Sequence, residues 1–103
     1  VAKVKFVLDP APTFKAKVEL PVHGGNTVPV EFTFKHRTKD EMAEFIKSTM
    51  NDAESVMAMC EGWELEDEFN AENVAKMCQN YQGSWLAVLR TYAIEIQQAK
   101  LGN

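Results

Sequence analysis

An α+β fold is predicted: an N-terminal antiparallel β-hairpin, with Val1–Leu8 open as a third, edge strand or a mobile arm, packed on three to four α-helices. Two alternating stretches separated by a glycine turn predict the hairpin. A capping-box sequence followed by apolar residues at helical spacing predicts the first helix. Two further N-cap residues, Asn70 and Ser84, each precede another helical stripe.

At 103 residues the chain is sized for one domain spanning 1–103, with a hairpin region over 1–37 and a helical region over 38–103. Hydrophobic residues make up 46% and charged residues 25%, an ordinary soluble composition, and no apolar run approaches the roughly 20 residues that span a bilayer. Lys3 and Lys5 interrupt Val1–Leu8, so it lacks the apolar core of a signal peptide, and the cytoplasm is the expected compartment. The net charge of −4 is unevenly spread: Val1–Lys39 has seven Lys/Arg against three acids, and Asp40–Gln82 has two against eleven. Such a split can steer a partner or let copies meet head to tail, while a solvated surface is the plainer reading. It disfavours nucleic acid, which needs clustered Lys/Arg.

Along the chain, Asp9-Pro10-Ala11-Pro12 stops the first stretch. Phe14, Ala16, Val18, Leu20 and Val22 then alternate with polar residues and Pro21, and Val28, Val30, Phe32 and Phe34 do the same around Pro29. All these apolar positions are even-numbered, and residues opposite one another share a face, so the loop holds an odd number of residues. Pairing numbers that sum to 50 puts Pro21 opposite Pro29 in a non-hydrogen-bonded pair, closes the hairpin at Val22–Val28 and leaves His23–Thr27 as a five-residue loop.

Thr38 with Glu41 forms the capping box. Met42, Phe45, Ile46, Thr49, Met50 and Ala53, then Val56, Met57 and Cys60, continue one stripe, which Asn51-Asp52 can kink or split and Gly62 ends as a C′ glycine. Trp63–Phe69 is an acidic connection whose apolar residues dock inward. Asn70 caps a helix with Val74, Met77, Cys78 and Tyr81 inward, and Ser84 caps a last one on which Trp85, Leu89, Tyr92, Ile96 and Ala99 form the stripe. Leu86, Val88 and Ala93 widen that stripe, leaving apolar surface to spare.

No constellation points to catalysis, a cofactor or a metal. Cys60 and Cys78 lack C-x-x-C spacing and sit at apolar helical positions, so they read as buried small hydrophobes rather than as zinc ligands with His23 and His36 or as a nucleophile. Glu64, Glu66, Asp67 and Glu68 lack the glycine and terminal glutamate of an EF-hand loop and read as surface charge that supports the next helix. His23-Gly24-Gly25 precedes no helix, which argues against a phosphate cradle. Arg90 and Lys100 are too few for a DNA-reading helix. Met42, Met50, Met57, Met59 and Met77 read as core, with an adaptable groove for a partner helix as the functional alternative.

The hairpin strand FKAKVELPV, the FKHRTKDE lead-in to the first helix, the stretch GWELEDEFNAENVAKMCQNYQGS and the final helix with Tyr92 resemble the tail assembly chaperone family of long-tailed bacteriophages, from about Val4 to Ala99. The resemblance implies a non-enzymatic protein of the infected cell's cytoplasm, absent from the mature virion. Such a protein binds the tape measure protein, keeps it soluble and helps recruit tail tube subunits. It also implies a longer product made by ribosomal frameshifting, with a chain ending at Gly102-Asn103 as the shorter form. Partner contact is expected through Trp85, Leu86, Tyr92 and Ile96 with help from Met57, and self-association is compatible with the spare apolar surface. An acidic adaptor or inhibitor of a host protein is the alternative function.

Overall fold

The computed structural model describes residues 2–97. The element order is β1 (Thr13–Pro21), β2 (Thr27–Lys35), α1 (Lys39–Lys47), α2 (Asp52–Met59), β3 (Cys60–Trp63), α3 (Ala71–Asn80) and α4 (Ser84–Gln97). The sheet is antiparallel in the order β1-β2-β3, and helices cover one of its faces, α4 over β1 and α2 against β2 and β3. The α+β class and the N-terminal hairpin stand as predicted; the third strand comes from elsewhere in the chain. Residues 2–12 form no strand, and Val4, Phe6 and Leu8 are 89%, 80% and 83% exposed.

The hairpin keeps the predicted parity in a different register. Phe14 faces Phe34, Val18 faces Val30 and Pro21 faces Thr27, so paired numbers sum to 48 and the loop is Val22–Asn26. The physical reason lies in the turn. Gly24 and Gly25 adopt φ of 89° and 80°, which lets the chain reverse so tightly that the Val22 N–H reaches the Asn26 carbonyl at 3.0 Å. At the other end His36 N–H donates to the Pro12 carbonyl at 2.8 Å, so the even-numbered pairs are the hydrogen-bonded ones. Pro21 and Pro29 both fall in odd, non-hydrogen-bonded pairs, opposite Thr27 and Glu19. The prolines therefore fix which parity is hydrogen-bonded, and two registers satisfy them; the glycine turn chooses between the two.

The long helical stripe is split in two. Ser48 ends α1, and Asn51 starts α2 with a second capping box: Asn51 Oδ1 accepts from Glu54 N–H at 2.8 Å while Glu54 Oε1 accepts from Asn51 N–H at 3.0 Å. α1 has no fully buried residue: Met42 and Phe45 pack half-buried against the core, and Ile46 is 72% exposed, because the break at Ser48–Asn51 sets α1 at the margin of the main packing. α2 is anchored by Val56 and Met59.

Cys60 and Gly62, expected to finish a helix, instead belong to β3, where they answer the free hydrogen-bonding edge of β2. The register slips between Phe32–Trp63 and Phe34–Cys60, leaving Glu61 as a bulge. Cys60 and Trp63, three residues apart, would face opposite sides of a regular strand; the bulge turns both into the core.

The core joins Val18, Val30, Phe32 and Phe34 of the hairpin to Val56, Met59, Cys60, Trp63, Val74, Cys78, Val88 and Tyr92. On α4 the buried positions are Ser84, Val88 and Tyr92, with Trp85, Leu89 and Ile96 flanking them. The stripe is thus turned from the one expected, and Ala99 lies outside the described residues. Ser84 is also no N-cap: Ala87 N–H bonds the Gly83 carbonyl at 3.1 Å, so the helical turn opens one residue earlier, and Ser84 Oγ makes no hydrogen bond.

Candidate functional site

The feature best formed for binding is an apolar groove of about 310 Å³ where the loop end of the hairpin meets α3. Leu20, Val22, Val28 and Val30 form one wall, Trp63 and Leu65 the end, and Met77 and Tyr81 the opposite wall, with Ser84 also lining it. The groove exists because hairpin and helix diverge. Gly83 lets the α3–α4 turn press on Pro21, since a Cβ there would meet Pro21 Cγ at 3.2 Å, and His23 sits edge-on to Tyr81 at 6.4 Å. Around the groove Val28, Leu65 and Tyr81 stay 47%, 39% and 43% exposed. Asp67, Asn73, Lys76 and Asn80 give the lining its polar atoms.

Trp63 fixes the far end. Its ring takes edge contacts from Phe32 at 5.8 Å and Phe69 at 5.1 Å, and its Nε1–H donates to the Asp67 carbonyl at 2.8 Å. That bond, with Glu64 N–H on the Glu31 carbonyl at 2.9 Å and Asn73 Nδ2 on the Glu68 carbonyl at 2.7 Å, holds the acidic loop 64–68 against the body. Asn70 caps α3 through the Asn73 N–H, as predicted. The acids of the loop all point to solvent.

The five residues expected to meet a partner do not form one surface. Tyr92 is fully buried, so it offers no contact face and that expectation is corrected. Its Oη donates to the Lys35 carbonyl at 2.7 Å and accepts from Arg37 Nη1 at 3.1 Å, and Phe14, Phe34 and Phe45 surround its ring. Met57, Trp85 and Ile96 are half-buried against the core, and Leu86 is 36% exposed. None of the five lines the groove. Conversely, Tyr81, expected to face inward, forms the groove's lip.

Burial pushes the Cys60 thiol up to about 12 and raises that of Cys78, where Asp52 adds to the effect. Thiols so protonated are poor nucleophiles and poor ligands. Among the described residues no three His, Cys, Asp or Glu converge as a metal set, and no helix is long and apolar enough to cross a membrane.

No curated protein and no solved structure matches the chain. A family model described as phage tail assembly chaperone matches residues 1–103, its whole length. An apolar groove with a polar rim suits a protein that binds other proteins, and the chain belongs to the phage tail assembly chaperone family.

Proposed function

We propose that this protein binds apolar segments of the tape measure protein in the groove between the hairpin and α3. It thereby keeps that protein soluble and helps bring tail tube subunits to it, as a non-enzymatic factor of the host cytoplasm that leaves before the virion is complete. Family membership over residues 1–103 carries the reading. The groove supports it physically: Met77 adapts to irregular apolar surfaces, Tyr81 and Trp63 supply area with few rotatable bonds, and the charged rim keeps the empty protein soluble. A helix laid in this groove would present apolar residues at i, i+3 and i+4.

Co-expression with the tape measure protein of the same phage tests the reading. Leu65→Asp and Val28→Asp change exposed groove positions and should cut the soluble tape measure protein recovered with the chaperone at least tenfold, with circular dichroism unchanged. Leu86→Asp, on α4 outside the groove, should leave recovery intact. Loss with Leu86→Asp alone would move the contact to α4, and full recovery with all three variants would sink the binding role.

A further inference from the structure

We propose that this chain forms a two-fold dimer by exchanging N-terminal arms, each arm adding a strand to the outer edge of the partner's β1. β1 ends the sheet. Its even-numbered residues direct their backbone groups to β2, so the N–H and C=O of Thr13, Lys15, Lys17 and Glu19 point outward, where they meet no backbone partner among the described residues. The apolar face is open on the same side: Phe14, Ala16 and Leu20 of β1 are half-buried, while Val30, Phe32 and Phe34 of β2 are buried. The arm has the pattern of a strand that fits there, since the exposed Val4, Phe6 and Leu8 alternate with Lys3, Lys5 and Val7.

Register decides which copy supplies the arm. The apolar faces match when paired numbers sum to an even number. The antiparallel register summing to 24 sets Asp9 opposite Lys15 and Lys5 opposite Glu19 on the solvent face, and Leu8, Phe6 and Val4 beside Ala16, Val18 and Leu20 on the other. Glu19 is already steadied on that solvent face by the Thr27 hydroxyl, 2.8 Å from its Oε1. Pro10 and Pro12 are even-numbered and fall in non-hydrogen-bonded pairs, so their missing donors cost nothing.

The chain's own arm cannot take this register. His36 N–H still holds the Pro12 carbonyl at 2.8 Å, so Asp9 would have to lie about 10 Å back along β1, beside Lys15, with Pro10 and Ala11 alone in between. Three Cα steps span at most about 11 Å, which leaves nothing for the turn. The reversals that do close bring like charges together: one sets Lys5 opposite Lys17, and a tighter one sets Lys5 opposite Lys15 and Lys3 opposite Lys17. Asp9 and Ala11 also precede prolines, which steers them to extended backbone and away from the helical angles of a tight turn. With a second copy, residues 3–21 of each chain run antiparallel about an axis through Pro12, the bends at Leu8, Asp9 and Pro12 straighten, both arms engage at once and assembly stops at two.

Sedimentation and cross-linking of the full chain test this. Wild type should pass with concentration from the 11.6 kDa monomer to twice that mass and no further. Lys5→Glu and Glu19→Lys, both at exposed positions, should each weaken the dimer about tenfold, and the double variant, with both pairs restored in reversed sign, should return to near wild type. Pro12→Cys should oxidise to a covalent dimer, because the axis opposes the two positions at a Cα separation of about 4.5 Å. Pro10→Cys should not, its two copies lying about 14 Å apart. Leu65→Asp, in the groove, should leave the dimer intact. A monomeric wild type, a double variant no tighter than the single ones, equal disulfide formation at positions 10 and 12, or loss of the dimer with Leu65→Asp would overturn the proposal. None of these outcomes involves the tape measure protein, so failure here is distinct from failure of the client reading.

Discussion

Tyr92 Oη donates a 2.7 Å hydrogen bond to the backbone carbonyl of Lys35, 57 residues earlier in the chain. That bond joins the middle of α4 to the end of β2. The same oxygen accepts from Arg37, whose guanidinium lies 4.5 Å from the Phe45 ring centroid, and Phe45 meets the Tyr92 ring edge-on at 6.2 Å. Through these contacts α1, which has no fully buried residue, is held to the body.

Tyr92→Phe should keep the ring packing and leave the Lys35 carbonyl without its donor. The expected cost is about 1–2 kcal/mol, seen as a melting temperature lower by roughly 4–15 °C. Burial raises the Tyr92 pKa; the Arg37 bond and charge oppose that, and Cys60 and Glu41 add to it. A raised folded-state value means stability that is complete below the unfolded pKa near 10 and is lost as pH climbs through the folded one. Wild type should therefore lose stability at alkaline pH more steeply than Tyr92→Phe, in urea titrations across pH 9–11. Equal slopes would remove Tyr92 from the account.

The two capping boxes should differ in consequence. Asn51→Ala undermines α2, which carries Val56 and Met59 into the core, and should lower global stability by about 1 kcal/mol. Thr38→Ala should fray only α1, raising amide exchange over 39–47 while the denaturation midpoint barely moves. Hydrogen bonds from Thr38, backbone first, hold the Glu41 carboxyl below its usual range, so that box should open as pH falls through the lowered pKa, with the same local exchange signature.

Gly25 has φ of 80° and open space around its missing Cβ, so a side chain there meets backbone strain alone. Gly25→Ala should cost about 1–2 kcal/mol, and Gly25→Asn clearly less, because asparagine tolerates the left-handed region. Equal midpoints for both variants in chemical denaturation would contradict the turn geometry that sets the hairpin register.

Neither thiol should react in the folded protein. Cys60 is 1% and Cys78 3% exposed, and burial disfavours both thiolates. With a chromogenic disulfide at pH 8, labelling should appear at the rate of unfolding, and both sulfurs should react at once in denaturant. Because the Cys60 pKa is raised to about 12 from 9.0, its contribution to stability is complete below pH 9 and fades as pH rises toward 12. Fast labelling of native protein would show that the helix–strand junction at Cys60 opens readily.

Local rules carried much of the fold. Alternation and parity identify the hairpin, Thr38 and Glu41 mark α1, Asn51-Asp52 marks the break, and Asn70 marks α3, because a strand's two faces and a helix's first turn are set by residues a few positions apart. Whole-chain patterns of caps and aromatics also place the family, which the match over residues 1–103 shows. Only the tertiary structure decides the rest. A four-residue β3 is too short to show a period, and its bulge at Glu61 hides the one it has; Cys60–Trp63 becomes a strand because the edge of β2 needs a partner. Tyr92 stands on an apolar stripe wide enough to serve either the core or a partner, and the structure gives it to the core, since three phenylalanines and a distant carbonyl close around it. The groove likewise appears only where hairpin and α3 diverge beyond Gly83, a matter of how packed elements meet and not of any one segment's composition.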